Sequence, residues 1–203
     1  MKTTRFFSYS IIILLLVACT NRETVIEGKL PNDRYNNEMV YWAPFKRDSV
    51  RTIDSARIQN HAFRLVISEH NRNKMGIVRL RPLLRLQLQE LLVFAEPGTV
   101  RVKIDSISSA TGTPLNEVLQ NWKDKKMVYD KESYTLWKKY RTASPSDTAE
   151  IREAFKKATA VYADDIYQII AGNKDNEAGK FIFSLNKSLL TPEQINKLNI
   201  NEP

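Results

Sequence analysis

Residues Thr99-Val100-Arg101-Val102-Lys103-Ile104-Asp105 alternate apolar and polar side chains without a break. A few residues later the rhythm changes, and Leu115, Val118, Leu119, Trp122, Tyr129, Leu136 and Tyr140 recur at helical spacing. Period two puts Val100, Val102 and Ile104 on the buried side of a strand, whereas the second spacing puts its apolar residues on one stripe of a helix. The switch between Asp105 and Leu115 therefore divides the chain into strands before and helices after. That order predicts an α+β fold rather than alternating α/β.

Working back from Thr99, alternation recurs in Leu84, Leu86 and Leu88 against Arg85, Gln87 and Gln89, and in Phe63, Leu65 and Ile67 after the turn-like Asn60-His61. Further strands are predicted at Val25–Lys29, Met39–Trp42, Ile53–Gln59, Gly76–Leu80 and Leu91–Ala95. Turns are expected at Pro31–Asn37, Ser68–Lys74 and Pro97-Gly98. Short strands at this spacing predict an antiparallel β-sandwich or open barrel over residues 24–110. Working forward, residues 111–203 read as a helical region. Thr113-Pro114 opens the first helix. Asp147, with Glu150 three residues on, is expected to form a capping box ahead of the stripe Ile151, Phe155, Ala158, Tyr162, Ile166 and Ile169. Two shorter helices follow, one carrying Phe181, Ile182 and Leu185, the other capped by Thr191-Pro192-Glu193-Gln194.

The first eighteen residues follow a different logic. Lys2 and Arg5 precede an apolar run from Ile11 to Val17, then Ala18 and Cys19. This is the n-region, h-region and cleavage site of a secretion signal. A transmembrane helix needs roughly 20 apolar residues, so this run is too short to be one. Leu16-Val17-Ala18-Cys19 resembles the lipobox of lipoproteins, in which a cysteine thiol takes diacylglycerol before cleavage. Residues 1–18 are expected to be removed, and residues 19–23 to form a lipidated tether holding the protein to a membrane of the cell envelope. Cys19 is the single cysteine of 203 residues, which suits a lipidated residue better than an unpaired secreted thiol.

With Lys2 and Arg5 gone, 29 of the 31 basic residues remain against 23 acidic ones, net +6. A basic balance suits anionic membranes or acidic glycans, and an exported chain is expected to meet no nucleic acid. The charges at Lys123, Lys125 and Lys126 and at Lys138, Lys139 and Arg141 read first as solvated helix faces and second as a binding patch. Tyr134, Trp137 and Tyr140, three apart, make either an exposed stacking ridge or a packed seam against the sheet, and the seam is the first expectation.

Chemical motifs are sparse. His61 and His70 both fall in turns without clustered ligands, so no metal is expected. Asp164 and Asp165 point about 100° apart on their helix and cannot work as a pair. No nucleophile elbow, P-loop or dinucleotide fingerprint occurs, and no catalytic residue or cofactor is expected. Arg79, Arg81 and Arg85 gather around Pro82; they could grip carboxylates or sulfated glycans, or simply protect an edge strand. Asp48-Ser49-Val50, Asp54-Ser55-Ala56, Asp105-Ser106-Ile107 and Asp147-Thr148-Ala149 resemble the Asp-Ser/Thr-aliphatic signal for O-glycosylation of exported Bacteroidetes proteins, which marks Ser49, Ser55, Ser106 and Thr148.

Four stretches together resemble a known family. Ile26-Glu27-Gly28, Ile53-Asp54-Ser55-Ala56, Val93-Phe94-Ala95-Glu96-Pro97-Gly98 and Gly112-Thr113-Pro114-Leu115-Asn116 are similar to the domain of unknown function 4369 of Bacteroidetes lipoproteins. The turn that usually carries glycine in that family reads Asn60-His61-Ala62 here. The resemblance implies the company of a thioredoxin-like domain in a thiol-disulfide protein. No Cys-x-x-Cys occurs in this sequence, so the chain is expected to do no thiol chemistry itself. The expectation is a non-catalytic accessory or binding protein, lipid-anchored and facing the periplasm. The alternative is a partner subunit of a thiol-disulfide oxidoreductase whose thioredoxin-like domain lies on another chain.

Overall fold

Alternation in the first half and the 3.6 period in the second are both realised in the computed structural model, which describes residues 23–45, 53–81 and 87–200. The strands are β1 (Thr24–Lys29), β2 (Met39–Pro44), β3 (Asp54–Arg57), β4 (Ala62–Val66), β5 (Met75–Arg79), β6 (Leu91–Phe94), β7 (Gly98–Lys103) and β8 (Ser109–Thr111). The helices are α1 (Pro114–Thr142), α2 (Thr148–Ala171), α3 (Glu177–Asn186) and α4 (Pro192–Leu198). The strands form two four-stranded sheets, ordered β4-β1-β7-β8 and β3-β2-β5-β6. This is a sandwich-like α+β fold.

The two sheets face each other across Ile26, Phe63, Leu65, Val100 and Val102 from the first and Val40, Trp42, Val78 and Val93 from the second. Trp42, Ile26, Val40, Leu65, Val93 and Val100 are wholly buried. Burying one such side chain contributes about 2 kcal/mol. Two aromatic rings fill the space beside glycines. A Cβ at Gly28 would come within 2.1 Å of the Phe63 ring, and one at Gly76 within 2.2 Å of the Trp42 indole. Each glycine leaves the hollow that its ring occupies.

A second core lies on the outer side of the second sheet. Met75, Leu92 and Phe94 meet Leu119, Tyr162, Ile166, Ile170, Ile182 and Phe183 of the helices. The layers are thus first sheet, second sheet, helices, and the outer face of the first sheet keeps its polar residues in solvent. Within the helical layer Tyr129 and Tyr162 stack with centroids 4.6 Å apart, and Lys125 of α1 pairs with Asp165 of α2 at 2.9 Å.

Several expectations are corrected. The sandwich is not wholly antiparallel, because β1 and β7 run parallel from Thr24↔Gly98 to Lys29↔Lys103. Parallel neighbours need a long crossover, which the strands of the opposite sheet supply. β8 was not expected; its Ala110 completes the core while Ser109 and Thr111 pair with Lys103 and Arg101. β5 is an interior strand between β2 and β6, so Arg79 is not on an edge. Leu88 enters the core from a turn rather than a strand, and Leu84 and Leu86 lie outside the described residues.

The helix ends also differ from expectation. Asp147 has helical backbone angles and caps nothing with its side chain. Its carboxylate instead accepts from the Ser144 and Ser146 hydroxyls, which hold it below the ordinary carboxyl range. Thr191 and Gln194 do form a reciprocal capping box. Tyr134, Trp137 and Tyr140 are exposed rather than packed on the sheet. The reason is length: α1 has 29 residues, about 43 Å at 1.5 Å each, and its far half outruns the sandwich to lie on α2.

Candidate functional site

The outer face of the first sheet is built by the polar halves of alternating strands. β1 presents Glu27 and Lys29, β4 presents Arg64, and β7 presents Arg101 and Lys103. Register brings them together. Glu27 lies between Arg64 and Arg101, and Lys29 lies beside Lys103. With Arg57, Gln59 and Asn60 rising at one side, they line an open concavity of about 1100 Å³. Its charged lining is Lys29, Arg57, Arg64, Arg101 and Lys103 against Glu27 alone.

Part of that charge is held internally. Arg64 donates to Glu23 at 2.8 Å and lies 3.9 Å from Glu27, and Arg57 donates to the Asn37 carbonyl at 3.1 Å. Lys103 lies 3.5 Å from Asp105. The Ser106 N–H, and then Lys103, hold the Asp105 carboxyl below its ordinary value. Lys29 and Arg101 have no carboxylate partner among the described residues. Like charges on neighbouring strands repel, and Lys29 and Lys103 are side by side. The face offers exposed cations, a lining suited to charge-assisted hydrogen bonding with carboxylate, sulfate or phosphate groups.

The arginine cluster read from the sequence is arranged differently. Arg79 Nε stands 3.6 Å from Glu90 Oε1, and Arg81 Nη2 2.6 Å from Glu38 Oε1. Both are engaged by carboxylates on the second sheet's side of the molecule, and Arg85 lies outside the described residues. Cys19 and Ser49 also lie outside them. Ser55 and Ser106 are exposed, whereas Thr148 is half-buried and donates to the Pro145 carbonyl at 2.9 Å. Asp54, next to Ser55, has a structural task. Its Oδ2 accepts from the Ser68 N–H and hydroxyl and from Asn71 Nδ2 at 2.8 to 3.2 Å.

His61 is in a turn, whereas His70 sits in the short 3-10 helix Glu69–Asn71. Asn60 and His61 have φ of +50° and +48°, and His61 Nδ1 meets Asp33 at 2.9 Å. No three His, Cys, Asp or Glu side chains gather as a metal would require, and no helix is long and apolar enough to cross a membrane, among the described residues.

Four residues of these surroundings are not marked out by the sequence. Lys123 reads as a solvated charge in the sequence, but its ammonium donates to Gln89 Oε1 at 2.6 Å and to the Ser108 carbonyl. Burial lowers its pKa from the ordinary lysine value. It ties α1 to the loops before β6 and β8. Lys29, Arg101 and Lys103 were each visible as the polar half of a strand, but only the parallel pairing of β1 and β7 joins them.

No curated protein and no solved structure matches the chain. One family does, the one described as Domain of unknown function (DUF4369), over residues 24–119. That span covers the whole sandwich and the opening of α1, and it contains all four of the stretches that carry the resemblance. Residues 24–119, just under half of the chain, thus match the domain of unknown function 4369 family.

Proposed function

We propose that this protein is a non-catalytic binding module, held at a membrane of the cell envelope by lipid on Cys19, that takes anionic ligands on the concave face of its first sheet. The observation that carries the reading is the adjacency of Lys29 and Lys103, with Arg101 one pleat away, on a face lined by strand and loop residues. The ligand class is a carboxylated or sulfated chain, because an open face rewards several spaced contacts over one enclosed one. Binding of this kind weakens as salt rises, since exposed charges are screened over about 8 Å at physiological ionic strength.

Titration of the protein with heparin and with polygalacturonate at low and physiological salt tests the reading. Binding is expected at low salt, falling several-fold with added salt, and lost in Lys29→Glu with Arg101→Glu. Both side chains are exposed, so folding is kept. Binding that is absent at low salt, or unchanged in the double variant, refutes the face as the site.

The family match supports a second reading, partner subunit to a chain with a thioredoxin-like domain. It requires retention of a Cys-x-x-Cys protein from envelope extract. Disulfide reduction by the purified chain alone would defeat both readings, because each makes this chain non-catalytic.

A further inference from the structure

The far half of α1 carries an uncovered stripe. Tyr134, Trp137, Lys138 and Arg141 stand at i, i+3, i+4 and i+7, on one face of the helix. Tyr134 is 55% exposed and Trp137 46%. Their rings stack with centroids 6.0 Å apart. Lys138 Nζ sits 4.4 Å above the Tyr134 ring and the Arg141 guanidinium 4.9 Å above Trp137. Beside the stripe, Arg152 of α2 reaches over Tyr140. Between Glu132 and Asp147 the chain has Lys138, Lys139 and Arg141 and no acid.

We infer that this stripe docks on the surface of an anionic bilayer, with the two rings at headgroup depth and the cations on lipid phosphates. Tyrosine and tryptophan favour that layer because they are apolar bodies with a polar tip. Lysine and arginine lay their stems on it while their charges stay wet. A dry protein pocket suits the stripe less well. Each ring already carries a cation, and burying the pair would strip water from the charge. A headgroup layer accommodates ring and cation together.

The inference rests on the lipid anchor at Cys19, and the fold constrains how both could touch one membrane. Thr24 pairs with Gly98, and a Cβ at Gly98 would come within 3.9 Å of the Thr113 methyl, so β1 and α1 begin near each other. The stripe starts about 30 Å further along α1 at 1.5 Å per residue. Residues 20–23 can span at most about 14 Å. Two-point attachment therefore lays α1 along the membrane plane.

The test uses the full chain isolated from membranes, with lipid on Cys19 read from intact mass. It is reconstituted into vesicles with brominated acyl chains, of phosphatidylcholine alone or with phosphatidylglycerol. Tryptophan fluorescence is expected to be quenched only with phosphatidylglycerol, and the quenching to vanish in Trp137→Phe, since Trp42 is buried and Trp122 half-buried. Lys138→Gln and Arg141→Gln should each lower the docked-to-undocked ratio about fivefold. Lipidated protein that floats with the vesicles while Trp137 stays open to aqueous iodide overturns the stripe and leaves the anchor standing, and the stripe then belongs to a protein partner. Equal quenching on both vesicle types also overturns it. Quenching without lipid on Cys19 upholds the stripe and refutes the anchor.

Discussion

The carboxamide of Asn116 pairs with both backbone groups of Phe94, accepting from its N–H and donating to its C=O at 2.9 Å each. Phe94 ends β6, an edge strand of the second sheet, and Asn116 lies in the first turn of α1. The side chain stands where a neighbouring strand would stand. Its amide nitrogen also donates to the Thr113 hydroxyl at 2.7 Å, while Glu96 accepts the Leu115 N–H at 3.0 Å. Two of the family stretches, Val93–Gly98 and Gly112–Asn116, are thus halves of one latch between sheet and helix. Asn116 is wholly buried, so its removal leaves the backbone groups of Phe94 without water or partner.

Asn116→Ala is therefore expected to cost about 3 kcal/mol, since each buried orphan costs about 1–3 kcal/mol. Asn116→Asp should cost more, because it loses the donor and sets a second carboxylate by Glu96, 3.3 Å from the present amide nitrogen. Urea unfolding measures both. A loss below about 1 kcal/mol for Asn116→Ala would mean that the latch closes by other means.

The glycine hollows make a second prediction. Gly76→Ala drives a methyl into the Trp42 indole, which is wholly buried and cannot move aside; the expected cost is about 3 kcal/mol, at the upper end for overpacking. Gly28→Ala meets Phe63, and Phe63→Leu in the same chain should restore part of the loss. Additive losses in a double-mutant cycle would show that ring and glycine do not share the space.

Why strands were readable and the site was not follows from these same residues. Val100, Val102 and Ile104 face one core, so burial writes period two into the sequence. The pairing of β1 with β7 leaves no such trace, because Lys29 alternates identically whichever strand lies beside it. Arg79 and Arg81 read as free cations until tertiary packing supplies Glu90 and Glu38. The Tyr134 stripe has the spacing of a core stripe, and only the overhang of α1 beyond the sheet leaves it in solvent. Asn116 was visible as a motif residue, but nothing local marks the strand end that it completes.

The turn between β3 and β4 offers a pH test. His61 takes φ of +48°, a conformation that costs most side chains about 1–2 kcal/mol and glycine little. The Asp33 contact it gains is exposed, and such pairs contribute little. His61→Gly is expected to raise stability by about 0.5–1 kcal/mol at neutral pH. The His61 and then Asn36 hydrogen bonds hold Asp33 below its ordinary 3.8. A depressed carboxyl stabilises the fold above its unfolded value and loses that contribution as pH falls through the folded one. The variant's advantage should thus widen slightly below pH 3.8. NMR titration should show Asp33 returning toward its ordinary value in His61→Gly, and an unmoved carboxyl would break the assignment.

The helical layer should open from its far end. The first half of α1 is fixed by Asn116, by Lys123 on Gln89 and Ser108, and by Leu119 in the second core. Beyond Tyr129 few side chains are even half-buried, Ser133 and Leu136 in α1 and Ile151, Ala154 and Phe155 in α2 among them. Amide protection follows the free energy of the cheapest opening that exposes each group, and that cost is set by local burial. Exchange of amides in residues 131–142 and 148–154 is therefore expected to run well ahead of that in residues 115–126 and 162–170. The two far segments should move together, because each supplies the other's seam. Leu136→Ala should hasten both while leaving the near half unchanged. Uniform protection along all 29 residues of α1 would instead mean that the overhang is as firmly held as the latch.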